Sequence, residues 1–243
     1  MKISGAKYIT MMLGLFVMCQ DRQNIPDPCM PADKPVLTGD MVGETMGKSY
    51  QLFKDKLMQG QKADEDFLIQ IYDEFIVYRN QKQILGVAPC PDSPLCTIFL
   101  FYSDNIPETI ALKYQGLGSH SGLGNLRISD GRKFVQKKIE FAEQIDLKYF
   151  STNKGIKLGM KSSDVVKVYG PPQAKGAIKT PPKTIRYSWE SYGKSEAEFL
   201  TNVPKEKVCP SMDWGQHIYV DFQQSKIGEK AIFINIRDKA PSF

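Results

Sequence analysis

Apolar positions follow two kinds of spacing along the chain, and the second half shows both of them clearly. Residues 155–172 (GIKLGMKSSDVVKVYGPP) predict a helix that Ser162 caps and Gly170 ends. Its apolar face would consist of Val165, Val166, Val168 and Tyr169. Strand-like runs follow at residues 185–189, 218–222 and 231–236. This order predicts a short helix followed by an antiparallel β-meander.

The first half repeats this order. Gly43-x3-Gly47 mirrors Gly155-x3-Gly159, and helical spacing follows over residues 49–60. Strand-like runs then lie at 75–78, 98–102 and 110–114. We therefore expect an α+β fold of two similar units, residues 39–130 and 131–243, each a short helical segment followed by an antiparallel β-meander. The alternative is that two unrelated α+β halves share this order by chance.

The N-terminus has the pattern of a signal peptide over residues 1–19. Lys2 and Lys7 precede the uncharged stretch 8–18, which is too short to span about 30 Å of hydrocarbon. Cleavage after Cys19 would release a secreted protein. Lipidation of Cys19 would instead anchor a lipoprotein, although Met18 stands where lipoproteins usually have a small residue. An uncleaved anchor is the third alternative, and residues 20–38 would form a flexible tether.

Four further cysteines bear on the compartment. An even number of cysteines in an exported protein predicts two disulfides, for which three pairings exist. Cys90 and Cys96 flank a short loop with two prolines and are the favoured pair, so Cys29 and Cys209 would pair by elimination. A zinc site is the rival interpretation, but the chain lacks the C-x2-C spacing. We expect no metal and no cofactor.

The segment 155–172 resembles the helix of bacterial envelope domains, namely the BamE/SmpA outer-membrane lipoproteins and the β-lactamase inhibitor proteins. The resemblance covers residues 150–237 and, more loosely, 40–115. The matching positions are Gly159, Met160, Asp164, Val165, Gly170 and Pro172. It implies a non-enzymatic exported domain that binds protein or envelope components. The chain departs from the pattern in its extra N-terminal half and in the long segment 190–215.

Composition and charge exclude several classes. The 243 residues are 42% hydrophobic and 24% charged, which excludes a disordered chain or a coiled coil. The net charge is +5, and without Lys2 and Lys7 it is 30 − 27 = +3. The densest lysines, at 133, 137 and 138, lie among acidic residues and indicate a solvated face. We expect no nucleic-acid partner, and membrane contact only through a lipid on Cys19.

Catalytic motifs are weak. The glycine-rich loop 116–124 lacks the Lys-Ser/Thr of a phosphate cradle, and His120 within it neighbours serines too close in sequence for a base–nucleophile pair. The carboxylates of 64–66 and 73–74 are sequence neighbours that point in different directions, unlike the facing pair of a glycosidase cleft, and 64–66 better suit a helix N-terminus. An exported hydrolase that combines His120 with Asp130 or Glu140 remains an alternative.

Aromatic residues provide the candidate binding site. On the second half they are Tyr187, Trp189, Tyr192, Trp214 and Tyr219. Tyr187 and Trp189 share one strand face, which is either core or an exposed face with aromatic binding anchors. We expect an exported envelope protein, periplasmic or anchored to the outer membrane, that binds a protein partner without catalysis. A secreted inhibitor or effector with 190–215 as its contact loop is the main alternative.

Overall fold

The computed structural model describes residues 27–30, 32–42, 76–90, 93–103, 139–178 and 183–239, without the side chains of 39–40, 88–90 and 93–96. Its strands are β1 Ile76–Arg79, β2 Gln83–Cys90, β3 Ser93–Ser103, β4 Glu143–Gln144, β5 Ala174–Ile178, β6 Thr184–Glu190, β7 Gln216–Ser225 and β8 Gly228–Asp238. Its helices are α1 Gly39–Val42, α2 Ser162–Tyr169 and α3 Lys194–Leu200, with 3₁₀ turns at Leu147–Tyr149 and Lys205–Lys207.

One eight-stranded sheet contains all of these strands, in the order β4-β1-β2-β3-β8-β7-β6-β5. Neighbouring strands pair antiparallel except β1 and β4, which pair parallel. The predicted fold of two α+β units is therefore wrong. The two meanders β1-β2-β3 and β6-β7-β8 exist, but β3 pairs with β8 and merges them into a single sheet.

The reason lies in the burial of β3 and β8. Residues 99–102 of β3 and 233–236 of β8 are buried at consecutive positions, so each strand is covered on both faces. A strand of that kind is stable only in the interior of a sheet, where both edges are paired and both faces are packed. Two separate units would have left these strands at exposed edges.

The sheet has an apolar layer on each face. The larger cluster, on the α2 side, packs Val165 and Tyr169 of α2 against Trp189, Val220 and Ile236 of the sheet. The smaller cluster, on the opposite face, is centred on β1, β2 and β3 and includes Leu100 and Phe233. The α2 side carries the N-terminal segment, which positions the candidate site described below.

Most local predictions that fall on described residues are confirmed. The runs 185–189, 218–222 and 231–236 lie in β6, β7 and β8, and 98–102 lies in β3. The predicted helix is α2, and Gly170 ends it with a φ of 77°. Its start differs by one residue, because Lys161 is the N-cap and Ser162 is the first helical residue. Within the described residues, no helix has both the length and the apolar character needed to cross a membrane.

Several predicted features lie outside the described residues. They are the signal segment 1–19 with Cys19, the pattern Gly43–Gly47, the helix 49–60, the strand 110–114, the loop 116–124 with His120, and Asp130. Glu140 is described and exposed. Residues 27–30 and 32–38, which the sequence assigned to a tether, contact the rest of the domain, and Asp33 among them is only 4% exposed.

Candidate functional site

A disulfide joins Cys29 to Cys209, across 180 positions of sequence. It fixes the N-terminal segment beside residues 205–209, which follow α3. This confirms the predicted Cys29–Cys209 pairing. The side chains of Cys90 and Cys96 are not described, so their disulfide stays a prediction. The expected loop between them is in fact mostly strand, since β2 ends at Cys90 and β3 begins at Ser93.

The disulfide borders a pocket of about 560 Å³ at the C-terminal end of α2. Its apolar lining comes from Pro28, Met30, Tyr169, Pro171 and Trp189. The N-terminal segment forms one wall, and the end of α2 with β6 forms the other. Because the cross-link attaches the N-terminal segment to the domain, the width of the pocket depends on the disulfide.

Trp189 and Tyr169 form the rigid part of this pocket. The Trp189 indole N–H donates to the carbonyl oxygen of Gly170 at 3.0 Å, and the ring meets Tyr169 edge to face at 5.3 Å between centroids. Both side chains are almost fully buried, at 1% and 2% exposed. Their position is therefore set by core packing, and the pocket has a preformed aromatic base.

A buried polar network supports the N-terminal wall from behind. The Tyr169 hydroxyl donates to the Asp33 carboxylate at 2.6 Å, and the backbone N–H groups of Lys34 and Lys154 donate to its other oxygen. The backbone N–H of Asp33 in turn donates to the side-chain oxygen of Gln216 at 2.8 Å. Burial and the neighbouring Asp33 raise the pKa of Tyr169 far above its ordinary value, so the phenol stays a neutral donor.

Glu190 is the carboxylate of the pocket whose contacts are best defined. Lys239 pairs with one of its oxygens at 2.7 Å, and the Tyr192 hydroxyl donates to the other at 2.8 Å. Burial raises its pKa, but these two hydrogen bonds outweigh burial and hold the pKa below its ordinary value. The Gln173 side chain also bridges the backbone N–H and C=O of Glu190. Glu190 is thus a fixed anion.

The segment 190–215 is folded against this anion. Lys239 also pairs with Glu196 of α3 at 2.9 Å, and its ammonium lies 3.9 Å from the centre of the Tyr192 ring. The other Glu196 oxygen accepts from the backbone N–H groups of Gly193 and Gly215. A Cβ at Gly215 would overlap the carbonyl oxygen of Ser191, so the backbone requires glycine there.

The five predicted binding aromatics occupy different places. Trp189 and Tyr187 belong to the core cluster, which is the alternative that the sequence left open, and Trp189 also lines the pocket. Tyr192 is half-buried, and burial together with Glu190 raises its pKa to about 12. Trp214 is half-buried beside Gly215. Tyr219 is half-buried on the opposite sheet face. Whether any of the five binds a partner stays a prediction.

Tyr219 belongs to a second polar cluster. Its hydroxyl lies 2.8 Å from Nδ1 of His217, and Arg186 pairs with the buried Asp221 through two hydrogen bonds of 2.8 and 3.0 Å. Burial lowers the pKa of His217, Glu190 opposes this by raising it, and the nearby cations Lys239, Arg237 and Arg186 lower it further. The cluster is a structural network that keeps charged groups on β6 and β7 paired.

Sequence reasoning missed Asp33, Gln173 and Gln216. Asp33 lies in a proline-rich stretch with no periodicity, and nothing in its neighbourhood indicates a buried carboxylate. In the part of the chain that the structure describes, no three His, Cys, Asp or Glu side chains come together as a metal site would require. The fold and the pocket thus define a disulfide-bonded, single-sheet domain with a lateral apolar pocket. No protein-family model, curated protein or solved structure matches the chain.

Proposed function

We propose that the chain is an exported, non-catalytic binding protein of the cell envelope, whose pocket takes apolar side chains of a partner protein. The observation that carries this proposal is the Cys29–Cys209 disulfide. Disulfides persist in oxidising compartments outside the cytosol, which supports export. The same bond attaches the N-terminal wall of the pocket to Cys209, in the segment after α3. The resemblance of residues 155–172 to BamE/SmpA-like domains is the basis for choosing the bacterial envelope.

The lining of the pocket supports binding. Its volume of about 560 Å³ falls within the range of small-ligand pockets, and rings, prolines and a methionine contribute most of its walls. Glu190 is already neutralised by Lys239 and hydrogen-bonded by Tyr192. The described lining residues include no serine, cysteine or histidine, and their ionisable side chains besides Tyr169 and Glu190 are Asp27, Glu206 and Lys207.

Intact mass of the protein from its native host tests export. A mass that begins at Cys19 with acyl groups supports a lipid-anchored envelope protein. A mass that begins near Gln20 without lipid supports a free secreted protein. A mass that retains the unmodified residues 1–19 contradicts cleavage and lipidation at this site. Reduction adds about 2 Da per disulfide, so it also reports whether Cys90 and Cys96 are paired.

A pocket-filling substitution tests binding. Met30→Arg places a long charged side chain in the apolar wall, whereas Val36→Arg adds the same side chain at an exposed position outside the pocket lining. A displayed peptide library is selected on the unmodified protein. We expect selected peptides to share an apolar residue and to lose binding to Met30→Arg while keeping it to Val36→Arg. Selected peptides that bind all three proteins equally would remove the pocket proposal.

One observation favours the secreted-inhibitor alternative. Phe199 and Leu200 at the end of α3 are 66% and 42% exposed, so the segment 190–215 presents apolar side chains to solvent. Deleting the whole segment would remove Cys209 and unfold the pocket wall, so the sharper variant is Phe199→Ser. Loss of peptide binding in Phe199→Ser, with Met30→Arg unaffected, would move the binding surface from the pocket to α3.

A further inference from the structure

Four lysines meet at the end of the sheet opposite the pocket. Lys226 lies in the β7–β8 turn, and Lys230 follows early in β8. Lys161 forms an isolated β-bridge with Lys230, and the carbonyl oxygen of Lys183 accepts a hydrogen bond from the Gln224 backbone at 2.9 Å. All four lysines are exposed. These lysines, with Ile227 in the same turn, are called the lysine tip below.

One carboxylate, Glu229, lies among the tip lysines, and a second, Asp164, lies nearby. Glu229 accepts hydrogen bonds from the Tyr187 hydroxyl at 3.0 Å and from the Gln224 amide at 3.2 Å. Asp164 pairs with Lys167 at 3.2 Å. The salt bridges among described residues include none of the four tip lysines. The donors to Glu229 are neutral and leave its carboxylate charged, so the lysine tip sets four ammonium groups against one carboxylate and carries an excess of positive charge.

The pairing of two lysines at the lysine tip is electrostatically unfavourable when the domain has no partner. Lys161 and Lys230 lie directly opposite each other across a β-bridge, and like charges in that position repel. Negative charge supplied from outside would relieve the repulsion. Charge complementarity therefore indicates a polyanionic partner for this surface.

Ile227 distinguishes among polyanions. Its side chain is 77% exposed, the most exposed of the large apolar residues that the structure describes. It sits between Lys226 and Lys230 in sequence, in the middle of the cations. A soluble polyanion offers nothing to an isoleucine, whereas a bilayer offers anionic head groups and an apolar boundary in one surface.

We propose that the lysine tip docks on an anionic lipid bilayer, with the lysines against the head groups and Ile227 at the boundary with the acyl chains. This inference does not depend on the pocket, and it replaces the expectation that a lipid on Cys19 is the sole contact with the membrane. It is compatible with it, because β6 runs from Thr184 at the lysine tip to Glu190 at the pocket, a distance of about 20 Å. Docking would leave the pocket at the far end from the bilayer.

Vesicle co-sedimentation of the full chain tests the proposal, with Cys19→Ser in all samples to prevent acylation. The vesicles are phosphatidylcholine with or without phosphatidylglycerol. We expect binding to depend on phosphatidylglycerol and to weaken with salt. Lys226→Gln and Lys230→Gln should each reduce the partition coefficient about fivefold. Ile227→Ser should reduce it about tenfold.

The matched control is Lys194→Gln with Lys205→Gln, which removes two exposed lysines near the pocket end. The control should bind as the parent does, and equal melting temperatures show that all variants are folded. Equal binding of tip variants and control would overturn the proposal. The proposal would also be overturned if soluble polyphosphate bound the protein as tightly as the anionic vesicles do and Ile227→Ser did not weaken vesicle binding. The partner would then be a polyanion without an apolar phase.

Discussion

At the pocket end of the sheet, Asp33, Gln216 and Glu196 are buried and each makes several hydrogen bonds. The Cys29–Cys209 disulfide cross-links the chain at the same end. At the lysine tip, charged side chains project into solvent, and two of them face each other across a β-bridge. The two ends differ in what they contribute to stability. The protein should lose stability when any one of the buried side chains at the pocket end is removed. Substitutions of the lysine-tip side chains should have little effect on stability, because these side chains have no described partner to lose.

Removal of the disulfide should have the largest effect at the pocket end. Cys29→Ala with Cys209→Ala opens a loop of 180 residues, which chain entropy values at about 5 kcal/mol of unfolding free energy. Urea unfolding measures it. Cys90→Ala with Cys96→Ala is the comparison, since the short loop between them would contribute about 2 kcal/mol if bridged. Equal losses in the two double variants would contradict the central role of Cys29–Cys209.

Gly215→Ala should have the next largest effect, a loss of about 3 kcal/mol in the free energy of unfolding. The new Cβ would overlap the Ser191 carbonyl oxygen and approach the Glu196 carboxylate at 2.8 Å, so the backbone must move. Gly176→Ala in β5 is the control, because nothing lies within 4 Å of a Cβ there. Thermal melts of both variants decide the point. A Gly215→Ala protein as stable as Gly176→Ala would mean that segment 190–215 is not packed as described.

Tyr169→Phe should cost about 1 to 3 kcal/mol. It deletes the hydroxyl that donates to Asp33 and leaves a buried carboxylate with one fewer partner. Tyr149→Phe is the control, since Tyr149 is half-buried and its hydroxyl interacts with the exposed ammonium of Lys148 instead of a buried carboxylate. Chemical denaturation separates them. If the two substitutions cost the same, the Asp33 network does not hold the N-terminal wall.

The smallest effect concerns pH and lies at the pocket end of the sheet, at His217, which pairs with Glu190 across β6 and β7. Burial lowers the pKa of His217 in the folded protein, so below about pH 6.5 this histidine binds a proton more readily in the unfolded chain than in the folded protein. Stability should therefore fall as the pH drops below 6.5. His217→Gln should flatten this fall in melting temperature, because it removes the group that titrates. A fall that persists in His217→Gln would assign it to another group.

Local structure was predictable because periodicity and helix-ending residues are local signals. The helix before Gly170 and the strands at 185–189 and 218–222 follow from spacing alone. The pairing of β3 with β8 did not, because the sequence pattern shows that a strand is apolar but not which edge it meets. The burial of Asp33 was not predicted for a related reason, since its partners Tyr169 and Gln216 are distant in sequence. The pocket depends on those distant contacts and on a disulfide that elimination alone suggested.

The pairing of β3 with β8 also governs when the protein can fold during synthesis. Residues 98–102 pair with residues 233–237, so the centre of the sheet closes only once residues 233–237 have left the ribosome or crossed a translocation channel. Until then the apolar edge of β3 is open to other nascent chains. Premature termination before Gly228 would leave that edge permanently unpaired. Quality-control proteases would therefore meet a truncated product as an aggregation-prone strand, not as a smaller folded domain.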